Sequence, residues 1–507
     1  MICTNATSLI INATILESSK KALVDFCGIL INTKMNRKMT YNLSRLVNRD
    51  NGTLKPLKTQ IFLTSASSFL IMLILLAPFP TLQAQVGIGT NAPKARFHVA
   101  DSSVLFTGPS PLPGTAAPTP VTGTGTRFFW YADKAAVRGG RIMGNGWNKD
   151  SIGQHSTAFG LSSIAKGNAS FVTGSGSRAT GLGSVAMGLN AEATADFGFA
   201  VGNGAEALGT ASFAVGNNTS AVGQYAVALG SSSTAANDYA FASGNGSTAS
   251  SYASTAIGDH CTATGLAALA LGNHCSTASQ NAVAMGYYSS AGGQFSVSIG
   301  NQNATPGQNA WSLGANNISS GNLSMTLGYN VNTNNKSGAF YFGDSDPFAK
   351  GQILSAANNQ FSARFNGGYY FITDNSGSSD VGVTLPAGGN AWVSICDKNR
   401  KENLIPLDGN MALNKLSNIL SASWNYKGQD ATKFRHYGIM AQDFYNAFGH
   451  DAIGEIGNDT TINPVDLLGV LVSAIQALEV RTREWQEMTN ENAVIRQKLL
   501  SLEEKLK

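Results

Sequence analysis

Charge is scarce in this chain. Of its 507 residues, 13% are Asp, Glu, Lys or Arg, against roughly 25% in an ordinary globular protein. The net charge of +4 does not describe the whole length. Residues 1–84 hold nine Lys/Arg and three Asp/Glu, so the remainder has 34 − 9 = 25 basic against 30 − 3 = 27 acidic groups, or −2. That balance leaves no electrostatic footprint for nucleic acid. Cysteine is also sparse. Cys3 and Cys27 precede an apolar segment described below, and Cys261, Cys275 and Cys396 follow it. An odd number this low excludes a dense disulfide framework. There is no His-Glu-x-x-His metal motif, no phosphate-binding loop and no glycosidase carboxylate pair in a supporting context. A turnover enzyme on an external substrate, a cofactor and a resident metal are therefore not expected.

What is abundant is Gly, 56 residues of it, with Ala, Ser and Asn. Such a composition belongs either to disorder or to close-packed repetition, and spacing decides between them. First comes "IFLTSASSFLIMLILLAPFPTLQAQVGIGT" (61–90), with Lys55 and Lys58 ahead of an apolar run from Ile61 to Pro78 and a small residue at Ala84. This pattern is that of an export signal with a mature start at Gln85. The sixty residues before it are too many for such a signal. Translation from Met35 or Met39 would shorten them, and an uncleaved membrane anchor is the alternative, since about 18 apolar residues can just span a bilayer. In either case residues 85–507 are expected outside the cytoplasm.

Glycines then recur at 160, 174, 188, 202, 216, 230, 244, 258, 272, 286, 300, 314 and 328, every interval being 14; Gly343 is displaced by one, which marks the end of the register. A second glycine often follows seven residues later, as at 167, 181 and 209. Two positions before the first glycine the residue is nearly always Ala. Its neighbours are larger, as in Phe171, Val185, Phe199, Phe213, Val227, Leu269 and Trp311. This alternation puts small residues on one face of a short strand and bulky ones on the other. Each fourteen reads as one coil of two short strands and two turns, with glycine supplying positive φ at the turns. One coil cannot bury its apolar face alone, but stacked coils can. A disordered linker does not keep an unbroken register with bulky residues at fixed phase. Thin coils still leave one apolar face uncovered, so self-association is expected.

Stretches such as "SVAMGLNAEATADFGFAVGNGAEALGTASFAVG" resemble the YadA-like head of trimeric autotransporter adhesins over about residues 150–343. The resemblance implies a left-handed parallel β-roll in which three chains pack around a common axis. Those adhesins end in a membrane β-barrel, whereas this chain ends in a helical pattern, so anchoring of that kind is not supported. Within the repeats, "GDHC" (258–261) and "GNHC" (272–275) stack His260 on His274 and Cys261 on Cys275. Three readings stay open: surface turn positions that accept many residue types, a disulfide, or a Cys₂His₂ metal site. Adjacent residues of a strand point to opposite faces, which weighs against the metal.

The flanks differ in texture. Residues 85–100 read as strand–turn–strand, 109–126 as a Pro/Gly/Thr-rich linker, and 127–142 as strands leading into the repeats. Residues 344–395 form a strand-rich neck, with three short strands and tight turns across 360–395. From Cys396 the chain is richer in Leu, aromatics and charge, suggesting a small α+β domain over 396–480. A long helix follows, with Asn463 as N-cap and Pro464 at N1. Leu468, Leu471, Ile475, Leu478 and Trp485, then Met488, Asn492, Ile495, Leu499, Leu502 and Leu506, follow 3–4 spacing after one three-residue stammer. They predict a coiled coil over 468–507, in which Asn492 sets register.

"CDKNRKENLIPL", "ASWNYKG" and "HYGIMAQDFYNAFG" together resemble the chaperone of endosialidase, an intramolecular chaperone auto-processing domain. By that resemblance the domain trimerises, helps upstream β-structure fold, and cuts the chain just before the serine of a Ser-Asp-x-x-x-Lys motif. Here Cys396 stands at the serine, Asp397 at the aspartate and Lys401 at the lysine. A desolvated lysine loses pKa and can serve as base. Cys396 would then attack the Ile395 carbonyl and form a thioester that water hydrolyses. The expected whole is mostly β: an exported homotrimeric fibre or adhesin with a trimeric left-handed β-roll, a small α+β chaperone domain and a terminal coiled coil. A phage-derived tail-fibre component, or a structural trimer with a degenerate site, is the alternative.

Overall fold

The computed structural model describes residues 85–345, 352–374 and 381–507. The apolar segment 61–84, Cys3 and Cys27 lie outside the described residues. Among the described residues, no helix is long and apolar enough to cross a membrane. The chain divides into two units, one up to Leu105 and one from Phe106 onward. In the first, Val86–Ile88 and Phe97–Val99 pair with each other in parallel.

The second unit is built on a β-solenoid whose coils repeat every fourteen residues. Strand Phe199–Asn203 shows the unit. It pairs in parallel, residue for residue, with Val185–Leu189 on one side and Phe213–Asn217 on the other. The return strand of each coil is two residues long, as in Glu206–Ala207, and joins an 11-stranded sheet from Ile164–Ala165 to Ala304–Thr305. The alternation read from sequence decides which side faces in. Ala200 is fully buried while Phe199 and Val201 flank it half-exposed. The interior is an Ala column with Ser and Thr, because only small side chains fit between the two sheets. The bulky residues remain outside, with Phe213 38% and Trp311 48% exposed.

A second buried column runs through the turns. Ser163, Ser177, Ser233, Ser247 and Ser289 each donate Oγ to the carbonyl of the glycine eleven residues on, at 2.8–3.1 Å. Asn303 and Asn317 do the same through Nδ2. In these coils a strand-end carbonyl thereby gains a side-chain donor where water is excluded.

Glycine's part differs from the expectation. The strand-end glycines do have positive φ, between +102° and +135° along the ladder from Gly160 to Gly328. The glycines seven residues later do not. At Gly167 or Gly209 a Cβ would run into the backbone of the next coil, so close approach is what they provide. The tight left-handed turns fall mostly on other residues, including Phe197, Tyr225, Tyr239, Phe295 and Leu323, with φ of +55° to +58°. Each such residue is held in a conformation costing roughly 1–2 kcal/mol, which the stacked coils on either side impose.

The ends are sealed by different devices. Gly125–Tyr131 and Ala136–Ile142 form an antiparallel hairpin, and the second strand pairs in parallel with Thr157–Leu161. Arg138 is fully buried there and donates to the Val137, Ser156 and Ala165 carbonyls and to Ser156 Oγ at 2.8–2.9 Å. Burial pushes its guanidinium down to about 10. The 109–126 stretch is tied to this hairpin: Ala117 N–H donates to Asp133 (2.8 Å) and Tyr131 donates to the Ala117 carbonyl. At the other end the ladder does not stop at Gly343. Phe340–Gly343 pairs in parallel with the Met325–Tyr329 strand, and Phe361–Arg364 adds beyond it. The inserted residue is absorbed in the turn, where Asn334 and Asn335 are both left-handed. Gly368–Asp374, Val381–Pro386 and Val393–Ser394 then make the antiparallel three-stranded neck.

The C-terminal region contains helices α1 (Gly409–Ser417), α2 (Ala441–Phe448) and α3 (Pro464–Leu506), with a two-stranded sheet of Ala422–Trp424 and His436–Gly438. Ala412, Phe444, Phe448, Val470 and Ala474 form its core. Asn463 caps α3 by accepting from Val465 N–H (2.9 Å), with Pro464 at N1 as read from sequence. Only the first turns of α3 are covered on one side. Leu468, Ile475 and Trp485, on the predicted seam, are each about three-fifths exposed in the single chain.

Candidate functional site

The spacing Cys-Asp-x-x-x-Lys becomes geometry through one short turn. The neck delivers the chain to Ile395 and Cys396. Asp397 then ends extended backbone and accepts a hydrogen bond from Asn399 N–H (2.9 Å), capping the 3₁₀ turn Lys398–Arg400. The backbone N–H of Lys401 donates to the Lys398 carbonyl (3.2 Å), closing the turn. Its side chain is thereby returned to Cys396, with Nζ 3.0 Å from Sγ. The three residues picked out by sequence are therefore brought together in distinct ways. Cys396 and Lys401 touch. Asp397 holds the turn and lies 4.0 Å from Arg400.

The electrostatics correct one expectation. Lys401 is not desolvated; it is exposed, and its ammonium is held above the usual 10.5 by the hydrogen bond and charge of Cys396, with Asp466 adding to the effect. The favoured form is an ammonium beside the Cys396 sulfur, an arrangement chemically suited to a counter-ion and proton donor more than to a resting base. A thiol is served by such a partner, because the thiolate is the attacking species.

Cys396 is exposed and lies between two hollows. One, of about 490 Å³, is bounded by Tyr370, Thr384, Ile395, Asp397 and Arg400. The other, of about 680 Å³, has Lys401 and Asp466 at its rim and Leu407, Met411, Phe444, Phe448 and Val470 among its walls. Asp466, in the first turn of α3, is the residue that sequence reasoning missed. An acid in a first helical turn is ordinary dipole complementation, so nothing in the pattern marked it as facing Lys401.

The His/Cys quartet does not converge. Cys261 and Cys275 are fully buried free thiols in the Ser column, each with Sγ 3.2 Å from a glycine carbonyl. Burial pushes both thiols up. They are thus not surface turn positions. His260 and His274 are, left-handed and stacked at 5.1 Å on the outside. Among the described residues no group of three or more His, Cys, Asp and Glu is placed to hold a metal.

Comparison with known families agrees with this division. The family model described as chaperone of endosialidase matches residues 396–451, beginning at Cys396 itself. The one described as YadA head domain repeat matches 151–177, 179–205, 193–219, 207–233, 221–247 and 279–303. No curated protein matches the chain. The chain thus carries YadA head repeats joined to a chaperone-of-endosialidase domain, the combination of an adhesin-like or fibre protein with its own chaperone.

Proposed function

We propose that this chain is an exported homotrimeric surface fibre whose C-terminal domain aligns and folds the β-solenoid and then cuts once between Ile395 and Cys396. The contact of Lys401 Nζ with Cys396 Sγ at 3.0 Å carries the second half of this reading, since it lies at the first residue of the chaperone match. The substrate is the chain itself: Sγ attacks the Ile395 carbonyl, the ammonium protonates the departing nitrogen, and the resulting thioester is resolved. The first half rests on the half-exposed outer row of the solenoid and the uncovered stripe of α3. Both are apolar surfaces that a second and third copy would cover, and both matched families are trimeric.

Intact mass of the purified protein, wild type beside Cys396→Ala and Lys401→Ala, tests the cut. A fragment beginning at Cys396 in the wild type alone is the expected result. A full-length chain in all three would make the domain a permanent clamp.

A further inference from the structure

The atom that makes this site unlike a serine site is the sulfur, and its consequence lies in the second half of the reaction. We propose that the acyl group at Ile395 is handed to a primary amine of a second molecule in competition with water, so that processing attaches the solenoid covalently to an amine-bearing acceptor. This rests on Cys396 being the nucleophile of the cut.

The steps balance without any redox partner. The Cys396 thiolate adds to the Ile395 carbonyl carbon, and the bond from that carbon to the Cys396 nitrogen breaks. The nitrogen takes a proton from the Lys401 ammonium and becomes the free α-amine of Cys396, leaving a thioester between Ile395 and Sγ. The acceptor amine adds to the same carbon, the carbon–sulfur bond breaks, and Cys396 departs as thiolate. The surplus proton of the amine passes to neutral Lys401, which restores its ammonium beside Sγ. One amide replaces another, so no external energy source is required.

Leaving-group chemistry favours amine over water as the resolving group, and two observations give an amine its place. A thiolate is a far better leaving group than an alkoxide, with a thiol pKa near 8.5, so attack by an amine proceeds to the amide. Lys401 Nζ, 3.0 Å from Sγ, is placed to hold that thiolate as it leaves and to take the proton released by the amine. The acyl side is open: Ile395 lines the hollow bounded by Tyr370, Thr384 and Arg400, and Cys396 is exposed, so an acceptor can reach the carbonyl from solvent.

The test is synthesis of the full chain in a cell-free system with graded biotin-cadaverine, followed by mass analysis of the fragment ending at Ile395. The expected fragment is heavier than the free acid by the probe less one water, in a proportion that rises with probe concentration. Cys396→Ser, wherever it cuts, should give the free acid alone. Undiminished cutting in the wild type with only free carboxylate at Ile395 would overturn the transfer and leave the cut standing. Equal labelling of the serine variant would overturn the role of sulfur. A wild-type chain that is never cut would remove the nucleophile and the transfer together.

Discussion

Two glycines twelve residues apart, Gly258 in ladder phase and Gly246 in turn phase, should respond very unequally to the same added methyl. Gly258 ends a strand with φ +124°, and a Cβ there would lie well inside 3.0 Å of the Gly272 backbone. Ala must leave a backbone region nearly reserved for glycine, and the Gly272 carbonyl, which accepts Cys261 Sγ, must move. Strain of about 1–3 kcal/mol adds to two or three disturbed hydrogen bonds at about 1 kcal/mol each, for a total on the order of 3–6 kcal/mol. Gly246 sits at φ +61°, where its Cβ would first meet the His260 ring at 3.1 Å, a side chain half in solvent and able to turn. The equivalent turn positions Asn218 and His260 already hold side chains at φ +51° and +52°. Gly246→Ala should therefore cost only the left-handed conformation itself, about 1–2 kcal/mol. Urea denaturation of each full-length variant, followed by far-UV circular dichroism, reads the difference. Equal midpoints would refute the claim that carbonyl approach, and not φ alone, dictates glycine in the ladder.

Two further outcomes follow from the site and the helix. Asp397→Ala removes the cap on Asn399, worth about 1 kcal/mol, and should slow the cut about fivefold in a pulse-chase assay with only a small fall in the melting temperature; Asp397→Asn, which keeps an accepting oxygen, should stay near wild type. Ile495→Lys with Leu499→Lys, on the exposed stripe of α3, should shift sedimentation from trimer toward monomer with helical content nearly retained. An unchanged trimer would mean that the stripe is not a seam.

The coil was legible because its signal is redundant: thirteen glycines in one register and an alternation that one shift would invert. The structure put Ala200 inside and Phe199 outside, as that alternation demanded. Where a residue's role depended on which turn it occupied, sequence could not separate the cases. Cys261 looked like a neighbour of His260 in a surface turn, yet it fills the buried position taken by Ser247 and Ser289 in other coils, and makes the same bond to a glycine carbonyl. The fourteen-residue register does end before Gly343, but the ladder does not. A one-residue insertion breaks spacing but not pairing when two asparagines can take the left-handed turn. At the site, the Cys-Asp-x-x-x-Lys pattern located the contact, but that the contact raises the Lys401 pKa, through its hydrogen bond to Cys396 with Asp466 of a helix distant in sequence adding to it, was not legible in the spacing.

The repetition that makes the solenoid easy to read also makes it hard to assemble. Val201 pairs with Val215 and Val215 with Leu229, so three chains packed through their outer rows and slipped by one whole coil would meet nearly equivalent side chains. Little energy separates the correct trimer from the slipped one, and contacts between chains form slowly without a local guide. In the trimer proposed above, α3 joins the chains at one end, fixes the phase and raises the local concentration of the rest. Once the outer rows are buried in phase, that helix has no further structural task. On the proposed reading, cutting at Ile395 then removes the only element able to direct reassembly, which turns a thermodynamic preference for the in-phase trimer into a kinetic one. A chain with an inactive Cys396 should fold as well as the wild type and differ only in how readily it refolds after denaturation.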